Sequence, residues 1–237
     1  MLANKLALSL PTINKVGAIA PPPPPWEPTD ELSLIAWYKH KTALYNVNNQ
    51  VEEWDDSSGN GYLMVGPSDK AESPTYDVNT GELFFKASAL QRLQLDTGLQ
   101  IGIPKDNDFT IGFKMNAGGT NNTILGDNTT ASQFFKITAN DQLRFKTNDA
   151  TATIQTDSTL IADIILIITR VADNVSVHID GVLQSNSLDV SGLVLIDAIG
   201  IRAVDLNSYE GTISEIQIYG KADTVLTSNV NTYLSNI

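Results

Sequence analysis

Apolar and polar residues alternate along most of the chain after residue 31, in short runs broken by turn residues. In FTIGFKM, Phe109, Ile111, Phe113 and Met115 alternate with Thr110, Gly112 and Lys114; in NVSVHIDG, Val175, Val177 and Ile179 alternate with Ser176, His178 and Asp180. A period of two sends the two sets to opposite faces of a pleated strand, so both segments are expected to be half-buried strands. QFFKITANDQLRFKT predicts two strands about a turn at residues 139–141, and Asp180-Gly181 predicts a type I′ hairpin, because both residues tolerate positive φ. The run from Ile164 to Ile168 is apolar at every step. That suits a strand covered on both faces or a short buried helix, and its β-branched content favours the strand. Helical spacing appears only at the end, where Val230, Tyr233, Leu234 and Ile237 recur three or four apart, with Thr227 as the expected N-cap. No unit recurs at a fixed period, which argues against a solenoid or propeller.

Composition narrows the partners. The chain has 237 residues, 42% of them hydrophobic, enough for a sizeable core. Its formal net charge is −12, with 15 Lys and Arg, which excludes electrostatic capture of nucleic acid or anionic lipid. No cysteine is present, so there is no disulfide framework, thiolate nucleophile or thiolate metal site, in keeping with folding in a reducing cytoplasm. No apolar run reaches the roughly 18 residues needed to span a bilayer, so no membrane insertion is expected.

Three motifs carry a resemblance. Trp54-Asp55-Asp56-Ser57-Ser58-Gly59-Asn60-Gly61 resembles the W-x-D-x-S-G-N-G turn of concanavalin A-like, laminin-G-like domains; VSVHIDGVLQ resembles their strand, Asp-Gly, strand hairpin. YEGTISEIQIYGKADTVLTSNVNTYLSNI is similar to their closing strand and short helix. Together the motifs run from about Leu32 to Ile237. The resemblance implies an all-β fold, a two-sheet antiparallel jelly-roll sandwich over residues 31–237 with a short C-terminal helix, which the density of strands supports independently. Structural roles follow for the motif residues: Gly59 and Gly61 for the turn, Trp54 packed at the sandwich edge, and Gly211 opening the last strand.

This architecture hosts lectins, glycanases and structural modules alike, so function has to come from sites. A glycanase needs two carboxylates facing one sugar ring, at alternate positions of one strand in the glucanases of this fold. Glu53 and Asp55 have that spacing but are expected to be solvated acids of the W-x-D turn, and Glu215 in ISEIQIY is expected on the surface without an acid partner. No enzyme is expected. Asp106-Asn107-Asp108, Asp127-Asn128 and Asp205-Leu206-Asn207 are oxygen-rich loops that suit calcium, though ordinary turn chemistry uses the same residues. No other cofactor is implied. His40 and His178 belong to no ligand spacing, and His178 is expected to be exposed. Tyr62, Tyr76 and Tyr209, in loops, are the candidate aromatic platforms for a sugar. The sequons at Asn121 and Asn128 mark surface loops.

The N-terminus differs in character. Residues 1–20 carry Leu2, Leu6, Leu8, Leu10 and Ile13, with Lys5 and Lys15 and no acid before Glu27; five prolines follow at residues 21–25. Ala18-Ile19-Ala20 imitates a signal-peptidase site, but Pro11, Asn14 and Lys15 interrupt the apolar stretch, so an arm retained in the mature chain is expected. Polyproline II geometry makes residues 21–30 a stiff spacer. Exposed leucines invite aggregation unless pressed against another protein, so the arm is expected to be an anchor. This layout resembles virion structural proteins of tailed bacteriophages. It implies a head decoration protein that is assembled in the host cytoplasm, anchored to the major capsid or another virion protein, and displays its jelly roll on the capsid surface. The alternatives are a phage tail or receptor-binding component, or a free glycan-binding lectin domain; host-surface glycans and a homo-oligomer are further expected possibilities.

Overall fold

A computed structural model describes residues 25–96, 98–105, 107–129, 133–202 and 208–237. The arm residues Leu2, Lys5, Leu6, Leu8, Leu10, Ile13 and Lys15 lie outside the described residues, as do Asp106 and the loop at 205–207.

Alternation of apolar residues produces two antiparallel sheets that close on one core. The first runs, in spatial order, Val182–Leu183, Asn174–Ile179, Asp163–Val171, Phe109–Ala117, Gly211–Tyr219, Leu83–Phe85 and Thr75–Tyr76, with Leu34–Tyr38 also paired to Gly211–Tyr219. The second runs Thr151–Gln155, Gln142–Lys146, Phe134–Ala139, Asn122–Gly126, Ala198–Ile199, Leu93–Leu95, Met64–Val65, Val51–Trp54 and Leu44–Tyr45. Inward residues of both, such as Phe113, Leu166 and Ile216 from the first and Phe135, Leu143 and Ile199 from the second, form one continuous cluster. Burial of this area is the main stabilising contribution to the sandwich.

The strand Asn174–Ile179 follows its pattern: Val175 and Val177 are fully buried, while Ser176 and His178 are half-buried. Asp180 and Gly181 then turn the chain with φ of 51° and 79°, as the Asp-Gly pair predicts. The strand Phe109–Ala117 departs from expectation. Thr110 and Gly112, read as the solvent face, are buried as well, because the C-terminal helix Thr224–Leu234 lies over them. A Cβ on Gly112 would stand 2.6 Å from Val230 Cγ1, so glycine is what lets the helix come this close. The same cover explains the unbroken apolar run: Ile164, Leu166 and Ile168 face the inter-sheet core, while Ile165 and Ile167 pack beneath the helix with Leu226, Val230 and Leu234.

The helix starts one turn earlier than Thr227 suggested. Asp223 is the cap, its Oδ1 accepting from Leu226 N at 2.7 Å, and Thr227 sits inside the first turn with its hydroxyl donating to Asp223 O at 2.9 Å. Ile237, counted in the apolar stripe, lies past the helix end and is 38% exposed.

In the W-x-D turn the organising acid is Asp56. Its Oδ1 accepts from Trp37 N at 2.9 Å and Ser58 N at 3.0 Å, and its Oδ2 accepts from Tyr62 N at 3.1 Å. Asn60 Nδ2 reaches back to Leu34 O and Ile35 O at 3.0 and 2.9 Å, so the loop staples the strand Leu34–Tyr38. Trp54, expected at the sandwich edge, is instead fully buried, tilted against Tyr38, with its Nε1 donating to Lys39 O at 3.0 Å. The polar tip of a buried indole needs such a partner.

Candidate functional site

The carboxylates separate clearly. Glu53 is the third residue of the strand Val51–Trp54 and Asp55 follows that strand, both exposed. Glu215, read as a surface residue, is fully buried. Its Oε1 accepts from Trp37 Nε1 and Gln217 Nε2, both at 2.7 Å, and its Oε2 accepts from His40 N at 3.0 Å. Burial pushes its carboxyl above the usual range, opposed by the hydrogen bonds from His40 N–H, Gln217 and Trp37. An enclosed carboxylate held by three donors ties two strands together and presents no face to a substrate.

The three tyrosines fare differently. Tyr209 is a core residue with no exposed surface, edge-on to Phe85 at 5.7 Å and donating to Thr212 O at 3.2 Å, so it offers no platform. Tyr62 is half-buried against the core, and its carbonyl accepts from Tyr38 OH at 2.8 Å. Tyr76, expected in a loop, lies in the strand Thr75–Tyr76 and is buried at 8% exposure; it stacks on Tyr45 with ring centroids 4.6 Å apart and stands at the wall of a pocket of about 410 Å³.

Two loops build that pocket. In the first, Asn46 Oδ1 accepts from Asn48 N at 2.9 Å and Gln50 N at 3.2 Å, and Asn49 takes φ of 60°, which Asn tolerates better than most residues. Tyr76 N then donates to Asn49 O at 2.6 Å, locking this loop to the sheet edge. In the second, Asp77 Oδ1 accepts from Asn79 N at 2.8 Å and Thr80 N at 3.4 Å, and the backbone bond from Asn79 holds its carboxyl below the usual range. Between them stands Phe84. Its neighbours Leu83 and Phe85 point into the core, and the period of two turns Phe84 outward, 42% exposed. The pocket thus combines an exposed ring with the carboxamides of Asn48 and Asn49 and the carboxylates of Asp77 and Glu82. The pattern Leu-Phe-Phe carried the signal for Phe84, since one of two adjacent aromatics in a strand must face outward; the sequence reading missed it.

Of the oxygen-rich loops, the described acids at 108 and 127 hold backbone amides. Asp127, just after the strand Asn122–Gly126, is buried, and its Oδ1 accepts from Thr129 N at 3.0 Å; Asp197 holds Asn128 N and Thr129 Oγ1, each at 2.5 Å. Asp108 Oδ1 accepts from Ala172 N at 2.9 Å. Among the described residues no group of three or more His, Cys, Asp or Glu is placed to hold a metal ion. His178 is not the exposed residue expected: it is half-buried beside the C-terminal helix, and burial lowers its pKa.

No family model matches the chain, and no curated protein matches it in sequence. Solved structures do match in shape. The binding domain of Paraclostridial Mosquitocidal Protein 1 aligns with a TM-score of 0.58 at 13% identity, over 89% of this chain and 53% of that one. Domain 4 of AbnA, an extracellular arabinanase from Geobacillus stearothermophilus solved with arabinotriose, aligns at 0.55 and 19% identity, over 84% and 97%. This chain has their fold. Botulinum neurotoxin type C, whose cell entry depends on two ganglioside molecules, aligns at 0.54 and 16% identity, over 88% and 51%. The chain spans about half the length of the two toxin chains. At such identities the likeness establishes the β-sandwich fold, as the strand pattern predicts, and no ligand.

Proposed function

We propose that the chain is a non-enzymatic carbohydrate-binding β-sandwich domain and that the pocket at Tyr76 and Phe84 takes the sugar. The observation that carries this is Phe84, an aromatic face left in solvent within a ring of amides and carboxylates. Such a ring packs on the C–H face of a sugar while the flanking groups satisfy its hydroxyls. The fold supports the reading, since domains of this shape have been solved with arabinotriose and with N-acetylneuraminic acid. With Asp77 and Glu82 in the lining and, among the described residues, no Lys or Arg there, neutral glycans are favoured over sialylated ones.

The test is a glycan array with the full chain, followed by titration calorimetry of each hit against the wild type and Phe84→Ala. Binding to neutral glycans that falls at least tenfold in Phe84→Ala, with an unchanged melt, is the expected result. No hit, or hits indifferent to Phe84, removes the reading.

Where the domain is displayed is a separate proposal. The leucine-bearing arm and the proline run support attachment to a larger assembly, either a phage head, as a decoration protein, or a tail. A sugar-binding sandwich held outward on a virion would be consistent with both halves of the chain.

A further inference from the structure

The face of the second sheet turned away from the core carries a cluster of cations. Phe135, Ile137, Leu143 and Phe145 point into the core, so the period of two turns Phe134, Lys136, Arg144 and Lys146 to the other side. The register sets Lys136 opposite Arg144, Phe134 opposite Lys146, and Lys146 opposite Thr151 of the edge strand. Arg202 joins them from the loop after Ala198–Ile199, its guanidinium 4.0 Å from the centre of the Phe134 ring. The loop can cross the sheet here because residue 126 is glycine: a Cβ there would stand 2.7 Å from Arg202 Cβ. These six residues line a pocket of about 250 Å³ that shares none of the residues of the Phe84 pocket.

The charge here runs against that of the chain. Four of its 15 Lys and Arg meet at this pocket, while none of its 27 Asp and Glu lines it among the described residues. Lys136 and Arg202 are engaged by other groups as well. Arg144, exposed, and Lys146, half-buried, form no ion pair among the described residues. Like charges directly opposite on neighbouring strands destabilise a sheet, and Lys136 faces Arg144 in that way. An anion set beside the two offsets the repulsion. The net charge of −12 does not forbid it, because at about 0.1 M salt charges beyond about 10 Å are screened and a small anion meets only the local cations. A broad anionic surface such as a bilayer would meet the acidic remainder too and be repelled.

We propose that this pocket is a second ligand site, for the phosphate monoester of a small soluble molecule. At neutral pH such a group carries close to two negative charges on three strong acceptor oxygens. The Arg144 guanidinium can grip two of those oxygens at once, and the Lys146 ammonium and the Thr151 hydroxyl can donate to the third. Arg202, steadied by the Phe134 ring, offers further N–H donors, and Lys136 adds charge. A carboxylate or a sulfate ester, singly charged, draws less from the same cluster. The site is independent of sugar binding at Phe84.

The test is a ¹H–¹⁵N NMR titration of the full chain, at about pH 7.5 where the monoester is doubly charged, with methyl phosphate, methyl sulfate and acetate. Methyl phosphate should shift the amides of Lys136, Arg144, Lys146 and Thr151, and should bind about tenfold tighter than either of the other two anions. Arg144→Gln and Lys146→Gln should each weaken it about tenfold without lowering the melt, since neither side chain is buried. Arg144→Lys, which keeps the charge and loses the fork, should fall between wild type and Arg144→Gln, and Phe84→Ala should bind as wild type does. Flotation with phosphatidylcholine vesicles carrying phosphatidic acid separates a lipid source from a soluble one, and it should be the same for wild type and Arg144→Gln. No shift or shifts scattered over the surface, equal binding of the three anions, full binding by both Gln variants, or vesicle flotation that is lost in Arg144→Gln would overturn the proposal.

Discussion

Glu215 shows how much one side chain can depend on its surroundings. Its carboxylate satisfies the indole of Trp37, the amide of Gln217 and the backbone N–H of His40 at once. Glu215→Ala leaves all three donors without that partner, and a loss of about 2–4 kcal/mol is expected in urea unfolding. The pH dependence has a definite sign. Its pKa is raised on folding, mainly by burial, so the folded state holds the proton more tightly than the unfolded chain. Its contribution is therefore greatest at about pH 4 and below, and declines as pH rises through the folded pKa. Glu215→Gln has no proton to lose. Measured by urea unfolding at about pH 4 and about pH 7, the variant should gain on the wild type as pH rises; a difference independent of pH would show that the carboxyl has the same pKa in the folded and unfolded states.

At the scale of elements, the C-terminal helix decides the character of the first sheet. It turns the outward face of Phe109–Ala117 into a second small core with Ile165, Ile167 and Tyr219, to which Trp26 and Tyr233 add an edge-on pair at 6.2 Å. The approach depends on Gly112, where a Cβ would meet Val230 at 2.6 Å and Leu234 at 3.3 Å. Gly112→Val forces the helix outward and should cost about 1–3 kcal/mol by overpacking. The melting temperature reads that loss, and an unaltered melt would mean that the helix docks without need of the close contact. Chemical shifts at Asn231, on the helix, should move in this variant while those of the Phe84 pocket stay in place.

For the whole molecule, the question is how the arm and the sandwich divide the work. Trp26 packs on Tyr233, so the folded body includes residues before the first strand. A chain begun at residue 25 should unfold in one cooperative transition, and one begun at residue 28, lacking Trp26, should melt several degrees lower. Equal melting temperatures would place Trp26 outside the cooperative unit. The anchoring proposal is tested at the other end. Leu8→Asp with Leu10→Asp puts two charges where apolar contact is proposed, a change expected to cost several kcal/mol at that contact and nothing in the sandwich. Co-sedimentation with phage particles lacking the endogenous copy should drop while the melt is unchanged; equal binding by both proteins removes the anchor.

The sequence by itself determined the features whose physics is local. Alternation at Val175, Val177 and Ile179 specified a strand, Asp180-Gly181 its hairpin, the glycines at 59 and 61 the W-x-D turn, and the spacing of Val230 and Leu234 a helix, because each depends on backbone period or on φ preference within a few residues. Tertiary structure decided everything that depends on what lies above a given face. Thr110 and Gly112 read as solvent-facing until a helix more than a hundred residues away covers them; Glu215 reads as a surface acid until Trp37 and His40 arrive from the first strand and its loop. The same applies to the candidate sites. Tyr209 and Tyr76 look alike as loop tyrosines, yet both are buried, one packed on Phe85 and the other stacked on Tyr45, while the exposed ring is Phe84, since burial is set by contacts far apart in the chain and no local pattern encodes them.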